Sequence, residues 1–560
     1  MTHAKWRPDL IACVVLALVW LSVWAPRRSG PIDLRWDASV YYILGTALAE
    51  GKGYRLLNEP GMIEAVQYPP GLPLLVATQV RALGTSNYFE VAPRLRLVFC
   101  LMSGLYLLAA YALVRRFLPA RYALVVAVLT ALSFDGFLQP SDTLYAELPF
   151  ALVSTAFLLC HFESGRRGVG VAQGILGVAA YLLRTAGIAL LAAWVSESLL
   201  RRNFRQAALR GVVAATPVLL WQAHVWGVTS SRQYREPAYP YQRAAYYYAN
   251  VSYAENGRLL DPFRPELGLS RASQLPMRAL RNLAAVPGAL GESVWVAPSS
   301  LDWYREKVGR HLGLSLPSNG VLAGLLVLLG CVILVGAGLI AATGAWLLAL
   351  YFGLTVALIC LTPWPGQFWR YLAPLAPLSL LFLVHALRAG RSWLAAGQGR
   401  WRRIGGPALV YVPLAGMLLF AGAVARSFLA HLPLVTQYDA QGRERSYRLL
   451  AYGAEWQALD PAFEWVRRHA GPGAVIATAV PHMAALRTGH PTVLPPLEAD
   501  PDSARRLLDL VPVSYVVLDG FEEPSISRRY AAPAVQERPD QWRLVFDSPG
   551  GRAHVYERLR

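Results

Sequence analysis

The sequence has little charge for its length. Only 16% of its 560 residues are Asp, Glu, Lys or Arg, whereas 55% are hydrophobic, and the mean hydropathy is +0.34. Globular proteins carry about 25% charged residues, so this composition excludes a disordered chain and argues against a soluble enzyme. Long runs without ionisable residues replace the missing charge, and several approach the roughly 20 residues that cross a bilayer. The composition predicts a polytopic integral membrane protein.

Cysteine is also scarce, and its placement argues against two kinds of site. The sequence contains no Cys-x-x-Cys pair, and no cysteine lies in a polar segment. We therefore expect neither a disulfide framework nor a zinc cluster. The five cysteines all fall within apolar runs: Cys13, Cys100, Cys160, Cys331 and Cys360.

Acidic residues are outnumbered by basic ones, 35 against 53, which gives a net charge of +18. In a soluble protein such an excess suggests nucleic-acid binding. Here the arginines follow alternate apolar runs, which is the pattern of cytoplasmic loops, so we expect no nucleic-acid partner. With the N-terminus in the cytoplasm, the arginine clusters fall on one side and the C-terminal part is exoplasmic. About 11 transmembrane helices follow from this pattern, over 9–25, 94–114, 122–138, 145–161, 171–183, 186–199, 211–228, 320–341, 345–362, 372–387 and 407–425.

The composition changes after about residue 430, where charged residues return. Short apolar strand segments alternate there with helical patterns, an order typical of a small α/β domain. We therefore predict a transmembrane domain over 1–428, with long exoplasmic loops at 26–92 and 229–318, and a soluble exoplasmic α/β domain over 429–560. Its predicted strands are 474–478, 492–494, 515–518, 544–546 and 553–556, and its predicted helices are 462–469, 482–486 and 503–510.

Ionisable residues near the membrane are costly and therefore informative. The predicted topology places several of them at the outer ends of spans, on one face of the membrane. For each one, a helix cap or a lipid-headgroup contact is the simplest interpretation. Exoplasmic arginines depart from the positive-inside pattern, however, and a phosphate fits the guanidinium fork. The residues are Asp33, Asp37, Asp142, Glu147, Arg184 and Arg370.

The first long loop contains an ordered set of short motifs. D-A-S-V-Y at 37–41 begins a segment that we predict to be an amphipathic helix, and G-K-G-Y at 51–54 ends it. Y-P-P-G-L-P-L at 68–74 predicts the start of a second, interfacial helix. Three more motifs follow along the chain: S-D-T-L-Y-A-E-L-P at 141–149, L-L-R-T-A-G at 182–187 and R-Y-L-A-P-L-A-P at 370–377.

Together these motifs resemble the polytopic lipid-linked-sugar glycosyltransferases of the GT-C fold. Within that superfamily the pattern is most similar to the branch of protein O-mannosyltransferases and lipid-A aminoarabinose transferases. The resemblance covers about residues 1–390 and implies an inverting transfer from a polyprenyl-phosphate sugar. The acceptor is a protein, a lipid or a polysaccharide, and the setting that we expect is the bacterial inner membrane.

The resemblance also implies roles for individual residues. Asp37 matches the catalytic aspartate that accepts the proton of the acceptor hydroxyl. Arg184 and Arg370 match positions that face the lipid phosphate, whose charge they would stabilise. Asp142 and Glu147 would complete the catalytic set by shaping the pocket. The expected substrate-binding residues are, with the two arginines, Tyr41, Gln67, Tyr68 and Tyr371.

The sequence departs from the families that it resembles at several motifs, some of which bind metal in those families. Ala38 stands where the mannosyltransferase branch has Glu, and Gln67-Tyr68 replaces the Glu-Lys pair of the aminoarabinose branch. The W-W-D-Y-G motif of oligosaccharyltransferases is absent as well. We therefore expect no cofactor and no metal, with a divalent ion on Asp33 and Asp37 as the alternative.

Other functions compete with this interpretation. A lipid carrier or flippase would show inverted repeats and charges near the middle of spans, which the sequence lacks. A non-catalytic scaffold would tolerate changes at the candidate residues, and an enzyme that transfers whole glycans is not distinguished from one that transfers single sugars. The tyrosines of the second long loop are first of all interface anchors, with sugar stacking as the alternative: Tyr234, Tyr239, Tyr241, Tyr246, Tyr247, Tyr248 and Tyr253.

Overall fold

The computed structural model describes residues 7–163, 168–295, 313, 318–395, 400–439 and 441–559, with 400–404 described by backbone only. Long apolar helices dominate as far as residue 430, as the charge-poor runs predict. The helices of eight or more residues in this part are Arg7–Trp24, Asp37–Ala49, Gly71–Leu83, Tyr88–Arg115, Ala120–Leu132, Glu147–Phe162, Val169–Leu183, Gly187–Leu200, Phe204–Thr229, Leu275–Val294, Asn319–Ala342, Trp346–Cys360, Ala376–Ala395 and Arg400–Ala430.

Every predicted span coincides with a helical segment. The length and apolar composition of these helices make the chain an integral membrane protein. Within the described residues, six helices are long and apolar enough to cross a bilayer, and a pair bent by 77° makes seven if it is counted as one span. That pair, Ala120–Leu132 and Phe134–Asp142, falls on the predicted span 122–138, so the span is broken rather than continuous. The remaining predicted spans are helices of 10–17 residues. The count of about 11 crossings stays a prediction.

The two predicted helices of the first long loop are present, but the first is not amphipathic. In the Asp37–Ala49 helix, residues 38–45 are all buried, and their relative exposure does not exceed 4%. The helix packs along Gly71–Leu83 and also contacts the Pro481–Thr488 helix in the C-terminal part of the chain. The expectation of an exposed polar face was therefore wrong, because tertiary burial encloses the small and polar positions as well.

The second long loop contains a helix that the sequence did not predict. Leu275–Val294 buries its second half, including Val286 and Leu290, and packs along Asn319–Ala342. Arginines interrupt the apolar pattern of this helix, so the sequence contains no continuous apolar run there. The predicted loop 229–318 is thus partly helical; residues 296–312 and 314–317 lie outside the described residues.

The C-terminal α/β region, residues 434–559, contains two sheets. Strands β1 (Leu434–Tyr438) and β2 (Glu444–Arg448) form an antiparallel hairpin, which was not predicted. A five-stranded mixed sheet has the order β4-β3-β5-β7-β6, and its strands match the five predicted ones. The strands are β3 (Val475–Thr478), β4 (Thr492–Val493), β5 (Val513–Leu518), β6 (Trp542–Asp547) and β7 (His554–Arg558), and the main helices are Ala454–His469, Pro481–Thr488 and Pro501–Asp509.

The C-terminal α/β region shares a core with the membrane helices. One continuous cluster of buried apolar side chains includes Val40 and Tyr41 of the first loop and Leu450 and Trp456 of the C-terminal α/β region. The Pro481–Thr488 helix packs on the Asp37–Ala49 helix. The predicted boundary at 428 lies in the last turns of the Arg400–Ala430 helix, and the division into two domains stays a prediction.

Candidate functional site

Four ionisable side chains from distant parts of the chain meet at one place. Arg370 lies between two carboxylates: its Nη2 donates to Asp37 Oδ2 at 2.8 Å, and its Nε donates to Glu147 Oε1 at 2.5 Å. Arg184 approaches the same oxygen of Glu147, with Nη1 at 3.1 Å. Two carboxylates and two guanidiniums therefore form a group whose charges cancel. We call these four residues the acid–arginine cluster.

The two carboxylates are placed by helix starts that a short strand contact brings together. Asp37 and Glu147 are each the first residue of a helix, where the helix dipole favours a negative charge. Just before these helices, Asp33 pairs with Thr143 in a parallel bridge, and the Leu144 amide donates to the Asp33 carbonyl at 3.0 Å. The bridge aligns the first loop with the segment that carries Glu147.

Arg184 is placed by two close backbone approaches. It follows the last residue of the Val169–Leu183 helix. A Cβ at Gly71 would lie 2.6 Å from the Leu182 carbonyl oxygen, and a Cβ at Gly187 would lie 2.8 Å from the Ala180 carbonyl oxygen. Only glycine fits at these two positions, so the motifs around 71 and 187 pack the first loop directly against the turn that carries Arg184.

The acid–arginine cluster is buried but not closed. The Glu147 side chain is 2% exposed, whereas Arg184 is 15% exposed and Arg370 and Asp37 are each 17% exposed. Arg184 Nη1 is buried against Glu147 as an ion pair, without a hydrogen bond in the described ranges. Both arginine side chains are partly exposed, and a guanidinium donates readily to an anionic oxygen such as that of a phosphate.

The predicted substrate-binding residues lie around the cluster. Tyr41 interacts electrostatically with Asp37 and Glu147, and its ring centroid lies 4.8 Å from that of Tyr68. Gln67 is buried beside Tyr68, and its Oε1 has no hydrogen-bond partner in the described part of the chain. The Tyr371 ring lies 5.9 Å from the Arg184 guanidinium carbon. These aromatic faces can stack on a sugar ring.

Three further tyrosines belong to the site and were not predicted as site residues. The Tyr145 ring lies 4.2 Å from the Arg370 guanidinium carbon. Tyr248 and Tyr253 come from the second long loop, and the Tyr253 ring lies 6.2 Å from Tyr68. Burial raises the pKa of the Tyr248 hydroxyl, and the Asp37 carboxylate raises it further. This hydroxyl therefore stays protonated and can donate a hydrogen bond. The tyrosine-rich composition of the loop was the only signal for them.

Asp142, predicted to be part of the catalytic set, lies in a different cluster. Its Oδ1 accepts from Arg96 Nη2 at 2.6 Å and lies 3.6 Å from Arg27 Nη1, and its Oδ2 accepts from the Leu450 amide at 2.7 Å. The structure thus directs Asp142 away from the acid–arginine cluster, towards the C-terminal α/β region. No motif pointed to Arg27 or Arg96: Arg27 lies just after a predicted span, and Arg96 lies inside one.

Asp33 and Asp37, the two carboxylates considered for a divalent ion, are each paired with an arginine. Asp33 is occupied by Arg35, whose Nε and Nη2 donate to it at 2.9 Å and 2.6 Å, and Asp37 is occupied by Arg370. Over the described ranges, no group of three or more His, Cys, Asp and Glu side chains is placed to hold an ion. A divalent ion bound by Asp33 and Asp37 does not fit this pairing, because an arginine already neutralises each carboxylate.

No family model matches the chain, and no curated protein matches it either. Solved structures of membrane glycosyltransferases do match. The oligosaccharyltransferase AglB from Archaeoglobus fulgidus, in complex with an inhibitory peptide and a dolichol-phosphate, aligns with a TM-score of 0.53 at 14% identity, over 100% of this chain and 75% of that one. The same enzyme tethered to an acceptor peptide gives a TM-score of 0.51 at 13% identity, over 99% and 74% of the two chains.

ArnT from Cupriavidus metallidurans bound to undecaprenyl phosphate covers 98% of this chain and is itself covered over 98%, with 14% identity and a TM-score of 0.47. The likeness to the archaeal enzyme extends over the whole chain, including the C-terminal α/β region. The resemblance deduced from the sequence motifs is thus confirmed at the level of the fold: this chain has the GT-C fold.

Proposed function

We propose that the protein is a membrane glycosyltransferase that moves a sugar from a polyprenyl-phosphate donor to an acceptor hydroxyl, with inversion, at the exoplasmic face. The observation that carries this proposal is the acid–arginine cluster. It combines a partly exposed carboxylate, Asp37, with two partly exposed arginines, Arg184 and Arg370. A base beside an anion-binding group is what the transfer of a phosphate-linked sugar requires.

The proposed reaction follows from the spatial arrangement of the carboxylate and the two guanidiniums. Asp37 accepts the proton of the acceptor hydroxyl while the hydroxyl oxygen attacks the anomeric carbon. The bond between that carbon and the phosphate oxygen breaks, and polyprenyl phosphate leaves with the electron pair. Arg184 and Arg370 stabilise the negative charge that develops on the phosphate. Attack from the face opposite the leaving group inverts the anomeric centre.

Glu147 and Arg370 have supporting roles in this proposal. Glu147 accepts from Arg370 and pairs with Arg184, so it holds the two guanidiniums side by side. Arg370 also binds Asp37, which fixes the direction of the base relative to the phosphate. The rings of Tyr41, Tyr68 and the other site tyrosines offer faces for the sugar. Preorganised charge of this kind contributes about 3–4 kcal/mol per donor in other enzymes.

The expected partners are the lipid-linked donor, an acceptor, and the surrounding membrane lipids. Support comes from the archaeal neighbour, which was solved with a dolichol-phosphate and with acceptor peptides. We propose the bacterial inner membrane as the setting, with the C-terminal α/β region on the exoplasmic side. Metal independence is part of the proposal, because the arginine pairs occupy the carboxylates that a metal would need.

The test is the release of polyprenyl phosphate by purified full-length protein. The donors are polyprenyl-phosphate pentoses and hexoses and one lipid-linked oligosaccharide, with membrane extract as the acceptor source. We expect release from at least one donor, unchanged by EDTA, and a loss of about 10²–10⁴-fold in Asp37→Asn. Asp439→Asn, a buried carboxylate paired with hairpin arginines, is the matched control. Equal release by wild type and Asp37→Asn would remove Asp37 as the base.

A further inference from the structure

The residue before Asp37 has an unusual backbone conformation. Trp36 has φ 55° and ψ −129°, and the Ala38 amide donates to the Arg35 carbonyl at 3.2 Å. These values correspond to the first central position of a type II′ turn, which glycine normally occupies. A tryptophan is sterically disfavoured there, so the surrounding structure must hold it. Because Asp37 is the next residue of the turn, the direction of its side chain depends on this conformation.

The C-terminal α/β region supplies the contacts that hold Trp36. The Trp36 ring centroid lies 5.2 Å from Trp456, with the rings at 89°, and 5.1 Å from Phe521. Trp456 and Phe521 also contact each other at 5.1 Å, so the three rings form a closed triangle. Trp456 and Phe521 are 5% and 8% exposed. Their positions are therefore fixed by the core of the C-terminal α/β region.

The preceding residue, Arg35, is bound by the same region. Its guanidinium carbon lies 4.9 Å from the Tyr452 ring and 5.5 Å from the Trp456 ring. Its Nη2 donates to the Ala451 carbonyl, and its Nε donates to Asp33. Both residues that precede Asp37 are thus anchored by the C-terminal α/β region. Asp37 itself contacts the membrane part through Arg370.

We propose that Trp456 and Phe521 are positioning residues that hold Trp36 in its strained conformation and thereby direct the Asp37 carboxylate into the acid–arginine cluster. The C-terminal α/β region is then part of the catalytic apparatus rather than an appended module. This inference rests on the proposed role of Asp37 as the base. Neither Trp456 nor Phe521 contacts the acid–arginine cluster in the described structure, so each acts only through Trp36 and, for Trp456, through Arg35.

The test compares variants of the full-length protein in two assays. The first assay measures kcat and KM for polyprenyl-phosphate release, and the second measures hydrogen exchange of the amides in 36–41. Trp456→Ala and Phe521→Ala remove one ring each, and Trp456→Phe keeps an aromatic ring. Trp465→Ala is the matched control, because Trp465 lies on the same helix but stacks on His469, away from Trp36.

We expect Trp456→Ala and Phe521→Ala to lower kcat by about 10–100-fold, because a small misplacement of a catalytic group has effects of this size. The KM for the donor should change little, exchange in 36–41 should rise, and Trp456→Phe should restore most of kcat. Trp36→Gly tests the same point without touching the C-terminal α/β region: glycine tolerates the turn but loses the ring contacts, so kcat should again fall and exchange should rise.

Unchanged kcat and unchanged exchange in folded Trp456→Ala would overturn the proposal. So would an equal loss of kcat in Trp465→Ala, since that would indicate general destabilisation. If wild type releases no polyprenyl phosphate from any donor, the proposed function fails and the exchange assay decides alone. Faster exchange in 36–41, confined to the Trp456 and Phe521 variants, would then support the anchoring of Trp36, and unchanged exchange would overturn it.

Discussion

Asp142 and Glu147 lie five residues apart, and each is a buried carboxylate shared by two arginines. The arginines of Asp142 are also held by backbone carbonyls: Arg27 donates to the Leu138 carbonyl at 3.2 Å, and Arg96 donates to the Ser29 carbonyl at 2.7 Å. Arg96 also donates to the Arg448 carbonyl at 3.0 Å. The side chains of Asp142, Arg27 and Arg96 are at most 2% exposed, whereas those of Arg184 and Arg370 are 15% and 17% exposed.

The comparison shows that residue types alone do not distinguish a structural cluster from a binding cluster. Both groups combine acids with arginines near the membrane edge. The group around Asp142 is enclosed by backbone carbonyls and joins the membrane helices to the C-terminal α/β region. The group around Glu147 is open on one side and includes the proposed base. The partial exposure of the arginines, rather than residue type or charge, is what indicates a ligand.

The largest effect on stability is expected where the group of Asp142, Arg27 and Arg96 is broken. Asp142→Asn leaves Arg27 and Arg96 buried with no carboxylate between them, so the free energy of unfolding should fall by about 3–5 kcal/mol. Thermal unfolding in detergent, followed by tryptophan fluorescence, measures this. Asp439→Asn is the control, since its arginines are 64% and 47% exposed and can be hydrated. A stability of Asp142→Asn equal to wild type would contradict the structural role assigned to this cluster.

Asp519 is a buried carboxylate with no arginine partner in the described residues, and it extends the comparison to the pH dependence of stability. Asp519 accepts from Ser527 and from the Phe521 amide, and burial raises its pKa from 3.8 to about 6. The folded state therefore binds the proton more tightly than the unfolded state, so this residue lowers stability as the pH rises from about 4 to about 6. Asp519→Asn should stabilise the protein by up to about 3 kcal/mol at pH 7 and by little at pH 4.

Unfolding of wild type and Asp519→Asn at both pH values measures this difference. Asp540→Asn is a suitable control, because its carboxylate is exposed and paired with Arg538. A stabilisation that is the same at pH 4 and pH 7 would show that the Asp519 carboxyl is not the titrating group.

Substitutions in the acid–arginine cluster should change ligand affinity rather than the free energy of unfolding. Arg184→Gln removes one of the two guanidiniums but leaves Glu147 paired with Arg370. The affinity for polyprenyl phosphate should fall by about 10–100-fold, since a hydrogen bond to a charged group is worth about 1.5–3 kcal/mol. Equilibrium binding of a labelled polyprenyl phosphate to purified protein measures this, with Arg201→Gln, an arginine paired with Glu197 elsewhere, as the control. Unchanged affinity would place the phosphate elsewhere.

The smallest expected effect is an increase in affinity rather than a loss. Glu147→Gln removes a negative charge that competes for the arginines, so the acid–arginine cluster gains a net positive charge. Polyprenyl phosphate should bind about tenfold more tightly, which corresponds to about 1.4 kcal/mol, while release of the product slows. The same binding assay, together with product inhibition, measures the change. Weaker binding in Glu147→Gln would mean that the carboxylate orients the arginines more than it competes with the phosphate.

Much of the fold was predictable because long apolar runs and alternating patterns are local properties of the sequence. The predicted spans and the five strands of the mixed sheet were located correctly for this reason. The helix Leu275–Val294 was missed because arginines interrupt its apolar run, and the hairpin β1–β2 was missed because its strands are largely polar. Sequence patterns report hydrophobic periodicity, and these elements are stabilised by tertiary contacts instead.

The candidate site was predictable in part. Asp37, Glu147, Arg184 and Arg370 were selected because they share one side of the membrane, and the structure brings them into contact. Asp142 was grouped with them although it points elsewhere, because the non-helical link 143–146 turns the chain between it and Glu147. The contact of Trp36 with Trp456 and Phe521 joins residues more than 400 positions apart, and nothing local in the sequence indicates it.

The most direct test of the account is a structure of the full-length protein with bound polyprenyl phosphate. We predict that a phosphate oxygen lies within hydrogen-bonding distance of the Arg184 guanidinium, with Arg370 still contacting Asp37 and the lipid chain running out among the membrane helices. A phosphate bound away from Arg184 and Arg370, with the pairing around Glu147 unchanged, would contradict the assignment of the acid–arginine cluster as the site for the leaving group.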